Sequence, residues 1–80
     1  MSVIYKIDIL SALKKRGYST YRLRNENILA QGVIQSLRHN KPITFVNISK
    51  ICALLDCQPG DILEYNEQKE KEEIINDNKN

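Results

Sequence analysis

Short apolar segments with helical spacing, separated by turn-forming residues, constrain most strongly what this chain can fold into. In the first segment, apolar residues recur at intervals of three, at Ile4, Ile7, Leu10 and Leu13. This spacing places them on one face of a helix. We predict a first helix over residues 4–16 that ends at Gly17, because glycine enters the left-handed cap without steric cost.

The next two predicted helices form a pair joined by a turn. Ser19 is a good N-cap for a short helix over residues 20–25. Asn25-Glu26-Asn27 is a turn signal, since asparagine tolerates left-handed backbone. A third helix follows from about Ala30 to His39, with Val33, Ile34 and Leu37 facing inward.

Capping signals also define the end of the fold. Asn47 can cap a fourth helix that runs to Leu55 or Asp56. Residues 58–63 form a single turn with Pro59 at its first position, and Ile62 and Leu63 cover the bottom of the core. We predict no strand, so the fold class is all-α, with four to five short helices.

Charge divides the chain of 80 residues into two parts. Residues 1–65 hold nine Lys/Arg and five Asp/Glu, a net charge of +4, whereas residues 66–80 hold three Lys and five acids, a net charge of −2. We therefore predict one domain over residues 1–65. Residues 66–80 form a charged C-terminal tail, either a solvated helix extension or a disordered segment.

Several classes of protein are excluded by what the sequence lacks. No apolar run approaches the roughly 20 residues of a membrane span, and the N-terminus has no secretory signal, which indicates a cytoplasmic protein. Cys52 and Cys57 lie five residues apart, which is not a zinc-ligand spacing. Cys52 is expected to be a buried, inert thiol. No phosphate loop, nucleophile–base pair or metal set is present, so we predict no enzyme, no cofactor and no small-molecule ligand.

The outward face of the third helix is polar and almost uncharged, since it presents Gln31, Gln35 and Ser36. Such side chains both donate and accept hydrogen bonds, and a glutamine amide can bond adenine at N6 and N7 in the major groove.

Cations and a helix start lie at the margins of this face. Arg38 and Lys41 follow at the far end of the third helix, and Thr20 and Arg22 open the second. Phosphates of a bound duplex run along such margins, so the layout favours double-stranded DNA as the partner.

Residues 5–65 resemble the Xre/Cro-like helix-turn-helix regulators of bacteria and phages, in particular a compact single-domain branch. The resemblance rests on Gly17-Tyr18-Ser19, on Leu23, on the run from Gln31 to Lys41 and on the closing stretch from Ile51 to Tyr65. It implies a lambda-repressor-like domain that regulates transcription.

The resemblance also implies positions of DNA contact. The base-contacting positions of the family fall on Gln31, Gly32 and Ser36, with Gln35 and Val33 at their edges. The phosphate-contacting positions fall on Thr20, Arg38, His39 and Lys41. Arg22 joins them as a cation at the start of the second helix.

Three residues depart from the family pattern. Arg24 stands where the family has a small residue at the helix crossing, Ile28 where it has the turn glycine, and Ala30 where it has a capping serine. A β-branched residue resists left-handed backbone by about 1–2 kcal/mol. We therefore expect Asn25 or Asn27 to take that conformation, and Asn27 could also cap the third helix early.

Two functions are compatible with these features. The first is a sequence-specific DNA-binding regulator that acts as a homodimer, with Ile62, Leu63, Tyr65 and Ile74-Ile75 as candidate dimer contacts. The second is a protein-interaction module on the same fold, such as an antitoxin-like or antirepressor partner. Arg24, Ile28 and the acidic tail favour the second.

Overall fold

The structure, a computed structural model, describes residues 3–66 as five short helices and one small sheet. In chain order the elements are β1 (Val3–Tyr5), α1 (Ile9–Lys15), α2 (Thr20–Asn25), α3 (Gln31–Arg38), α4 (Phe45–Leu55), α5 (Pro59–Ile62) and β2 (Leu63–Tyr65). The predicted fold class is confirmed, with a two-stranded sheet added to it. Within these residues, no helix has the length and apolar character needed to cross a bilayer.

The first predicted helix was wrong at its start. Val3–Tyr5 is a strand that pairs antiparallel with β2, in the register Val3↔Tyr65, Ile4↔Glu64 and Tyr5↔Leu63. α1 begins only at Ile9, because Asp8 caps it by accepting a hydrogen bond from the Ser11 N–H at 3.1 Å. That bond lowers the pKa of the Asp8 carboxyl. The prediction that the chain contains no strand is corrected with it.

The core consists of aliphatic side chains from all five helices and from the turn before α3. Ten of them are buried: Ile9, Leu13, Leu23, Leu29, Ile34, Leu37, Ile48, Ile51, Leu55 and Ile62. Ile62 is only 1% exposed and Leu63 is half-buried beside it, so both cover the core as predicted. The burial of Ile62 removes it from the candidate dimer contacts.

The helix starts follow the capping residues, with one correction. Ser19 caps α2 as predicted, since its hydroxyl accepts from the Arg22 N–H at 3.2 Å. Asn47 does not cap α4, because the hydroxyl of Thr44 accepts from the Asn47 N–H at 3.3 Å and the helix begins at Phe45. Pro59 is the first residue of α5, as expected.

The two cysteines are free and half-buried against the core. The thiol of Cys52 is thus less buried than predicted. Burial, followed by the neighbouring Cys52, raises the pKa of the Cys57 thiol. A raised pKa keeps the Cys57 thiol protonated, which fits an unreactive packing residue.

Candidate nucleic-acid interface

The turn between α2 and α3 is formed by Asn27. Its φ is 54°, which is left-handed, whereas Ile28 stays outside that region. The main-chain N–H groups of Ile28 and Leu29 both donate to the carbonyl of Leu23, at 2.9 and 3.2 Å. The expectation of a left-handed asparagine is therefore confirmed at Asn27. Ile28 instead packs its side chain, half-buried, against the core.

α3 begins without a side-chain cap. Ala30 is its N-cap residue and makes no capping hydrogen bond, and the early cap predicted at Asn27 does not form. The first turn of α3 contains no acidic residue. Its first N–H groups therefore keep the partial positive charge of a helix N-terminus, with no carboxylate in the first turn to offset it.

The two faces of α3 differ in burial. Ile34 and Leu37 are buried in the core, and Val33 is half-buried beside them. At 100° per residue, Gly32 lies opposite this face. Around it stand the polar side chains proposed from the sequence as base contacts, namely Gln31, Gln35 and Ser36.

Gly32 occupies the centre of the outward face. A Cβ added there would meet no heavy atom within 4 Å. The fold therefore gives no packing reason for a glycine at this position, although glycine inside a helix costs about 1 kcal/mol relative to alanine.

The segment that carries this face is basic. Residues 20–41 contain four Lys/Arg and one acid, Glu26. The Glu26 carboxylate is paired with Arg22, whose Nε donates to Oε2 at 2.9 Å. Arg38, His39 and Lys41 are all exposed at the C-terminal end of α3.

The loop after α3 is fixed on both sides. Asn40 has φ 57°, and the Lys41 N–H donates to the carbonyl of Ser36 at 2.7 Å. The hydroxyl of Tyr5 on β1 donates to the carbonyl of Lys41. The Lys41 main chain is thereby held next to the end of α3.

Arg22, predicted as a phosphate contact, also makes several contacts within the protein. Its Nη1 donates to the carbonyl of Gly17 at 3.1 Å, and its guanidinium lies 4.8 Å from the ring centre of Tyr18. With the bond to Glu26, these contacts use two of its five N–H donors. Arg22 ties the end of α1 to α2. Tyr18 is half-buried against the core, whereas Tyr21 is 67% exposed.

Arg24 departs from the family pattern, which has a small residue at this position of α2. Its side chain is exposed, and its Nη1 donates to the amide Oε1 of Gln31 at 3.3 Å. The structure thus brings Arg24 to the polar face of α3. In the sequence, the only indication of this contact was that Arg24 stands where the family has a small residue.

Metal-ligand clusters and unsatisfied buried polar groups are both absent from the described residues. Among residues 3–66, no group of three or more His, Cys, Asp or Glu side chains could hold a metal ion. The same residues contain no buried side-chain nitrogen or oxygen that lacks a hydrogen bond.

Comparison with known proteins agrees with this geometry. The family model described as the Cro/C1-type HTH DNA-binding domain matches residues 8–68. The chain is 35% identical over 65 residues to a protein of Bacillus subtilis (strain 168) named uncharacterized HTH-type transcriptional regulator YozG, and this covers 81% of this chain and 77% of that protein. No solved structure is a significant match. The chain therefore belongs to the Cro/C1-type helix-turn-helix family of DNA-binding domains.

Proposed function

We propose that this protein is a sequence-specific transcriptional regulator that inserts α3 into the major groove of double-stranded DNA. One observation carries the proposal: the outward face of α3 is centred on Gly32, where a side chain would have ample room and yet none is present. A close approach by another molecule explains that choice. A major groove about 12 Å wide admits one helix.

The polar side chains around Gly32 serve as base contacts in this proposal. Gln31 and Gln35 are four residues apart and so lie in one row along α3. Ser36 lies on the other side of Gly32, within the same outward face. Amides and hydroxyls match the donors and acceptors that base edges present there.

The phosphate contacts lie at both ends of the helix pair. Thr20, at the first position of α2, lies near free N–H groups that can bind a phosphate oxygen. Arg22 contributes the donors that its contacts with Gly17 and Glu26 leave over. At the other end of the interface stand Arg38, His39 and Lys41.

A homodimer is the functional form in this proposal. A single module buries only about 600–1,000 Å² on DNA, and two half-sites about one helical turn apart would double it. Leu63 and Tyr65 are the candidate contacts that remain among the described residues; Ile74-Ile75 lies outside them. In this proposal the domain over residues 1–65 binds DNA in the cytoplasm. The acidic tail over residues 66–80 lies outside the described residues except for Asn66.

The second candidate, a protein-interaction module, was favoured by Arg24, Ile28 and the acidic tail, and the structure weakens the first two of these arguments. Asn27 takes the left-handed turn position in place of Ile28, and the exposed Arg24 side chain is bonded to Gln31. The acidic tail alone still favours it. Its contacts would be apolar and would show little dependence on salt.

Selection of a random duplex pool by the purified full-length chain tests the proposal. We expect an enriched motif with two repeated half-sites about 10 base pairs apart. Affinity for the winners should fall with salt, with a slope of about −0.9 for each phosphate neutralised. A folded chain that enriches no motif would contradict sequence-specific binding. Salt-insensitive capture of a protein would support the second candidate.

A further inference from the structure

We propose that Arg24 and Gln31 act as one base-contacting unit that prefers guanine at the base pair facing the start of α3. This inference rests on the proposed function and deepens it. It adds Arg24, a residue of α2, to contacts otherwise confined to α3. It also states which base edge the unit fits.

The first step is the bond between the two side chains. Arg24 Nη1 donates to Gln31 Oε1 at 3.3 Å, and both residues are exposed. The guanidinium therefore lies beside the residue that opens α3. An arginine has five N–H donors in a planar fork, and this bond uses one of them.

The second step is the charge of Arg24. Within residues 3–66 it forms no salt bridge, since the acid nearest in sequence, Glu26, is paired with Arg22. An exposed guanidinium without a carboxylate partner is suited to an anionic, acceptor-rich ligand. Arg22, two residues earlier, is not equivalent because it is bonded to Gly17 and stacked near Tyr18.

The third step is the pattern of donors that the unit presents. An isolated glutamine offers one acceptor and two donors, which suits adenine. With Oε1 of Gln31 engaged by Arg24, the amide N–H₂ and the remaining guanidinium N–H groups present mainly donors. In the major groove, guanine offers two acceptors, O6 and N7, whereas adenine offers one acceptor and one donor. The pair therefore matches guanine.

The test is a complete set of single base substitutions in the duplex that the wild-type chain selects. Affinities would be measured for the wild type, Arg24→Met, Arg24→Lys and Gln31→Ala. Arg24→Met keeps the length of the stem and removes all donors, whereas Arg24→Lys keeps the charge and removes the fork. Arg38→Met at the far end of α3 is the matched control.

We expect Arg24→Met to lower discrimination in favour of guanine by about tenfold to a hundredfold at one base pair, with the other positions unchanged. Arg24→Lys should lose most of that discrimination as well and keep the salt slope. Arg38→Met should weaken binding to all sequences alike. The thermal midpoint of Arg24→Met should stay close to the wild type, because the bond to Gln31 is exposed.

Other outcomes overturn the inference in distinguishable ways. Unchanged base preference in Arg24→Met would reduce Arg24 to a general cation, and full preference retained in Arg24→Lys would show that the planar fork of the guanidinium does not select the base. If Arg24→Met instead lowered the thermal midpoint strongly and weakened binding to all duplexes equally, the role of Arg24 would be to stabilise the fold. These results leave the proposed function intact, whereas a wild-type chain that selects no motif refutes the function and this inference together.

Discussion

The side-chain hydroxyl of Tyr5 donates a hydrogen bond to the main-chain carbonyl of Lys41, 36 residues further along the chain. β1 therefore supports the loop that follows α3. That loop contains Lys41, one of the proposed phosphate contacts. Burial raises the pKa of the Tyr5 hydroxyl. The phenol thus remains a donor throughout the physiological range.

Tyr5→Phe removes this bond and keeps the ring. We expect a loss of about 1 kcal/mol or less in unfolding free energy, because water can replace the donor at an exposed carbonyl. The folded-state pKa is raised, so the contribution of Tyr5 is complete below the ordinary tyrosine pKa and is lost as the pH rises through the folded value. Urea unfolding at neutral and alkaline pH measures both. Tyr21→Phe is the control, because the Tyr21 hydroxyl makes no hydrogen bond within residues 3–66, and equal losses in the two variants would contradict the role of Tyr5.

Gly32→Ala separates folding from DNA binding. The added methyl group enters open space, so we expect the helix to gain about 1 kcal/mol in unfolding free energy. Affinity for the selected duplex should fall, since the methyl group lies where the base edges approach. Gly60→Ala in α5 is the matched control, because its Cβ also meets nothing within 4 Å. If both variants bind DNA like the wild type, Gly32 does not lie against the duplex.

Asn27, and not residue 28 as in the family pattern, takes the left-handed backbone of the turn. Substitutions at both positions can test this. Asn27→Ala should cost about 1 kcal/mol, because alanine resists left-handed backbone. Asn27→Gly should be nearly neutral. Ile28→Gly, which restores the glycine of the family, should destabilise by about 2 kcal/mol, since it removes a side chain packed on the core. A stabilised Ile28→Gly variant would show that the turn lies at residue 28.

Asp8 predicts a specific acid dependence of stability. Its carboxyl accepts a hydrogen bond from the Ser11 N–H, which lowers its pKa below the ordinary value. The contribution of this cap is therefore present above the ordinary carboxyl pKa and is lost as the pH falls through the lowered folded value. Asp8→Asn keeps a capping side chain and removes the titration. Thermal midpoints of the two proteins should converge at low pH, and parallel profiles would contradict the assignment.

Local signals predicted the parts of the fold that depend on nearby residues. The bounds of α2, with Ser19 before it, follow from one capping side chain and one turn, and both lie within ten residues. The inward face of α3 follows from the spacing of Ile34 and Leu37. Pro59 likewise marks the first position of α5 without any distant partner.

Distant partners explain what the sequence did not reveal. Ile4 fits the helical spacing of Ile7 and Leu10, but its segment pairs with residues 63–65, and no local pattern indicates that pairing. Thr44 and Asn47 are both capping residues, and the exposed side chains of Phe45 and Val46 made the earlier start hard to recognise. The bond from Arg24 to Gln31 depends on how α2 and α3 cross, which is a property of the packed core.

The pairing of Val3 with Tyr65 brings the two ends of the described chain next to each other. Its first and last described segments are neighbours, so forming that pair closes a loop of about 60 residues, among the most costly steps in chain entropy during folding. A circular permutant that joins these two ends would begin folding with that closure already made. New termini could then lie in an exposed turn such as Arg16-Gly17, which contains none of the proposed base contacts.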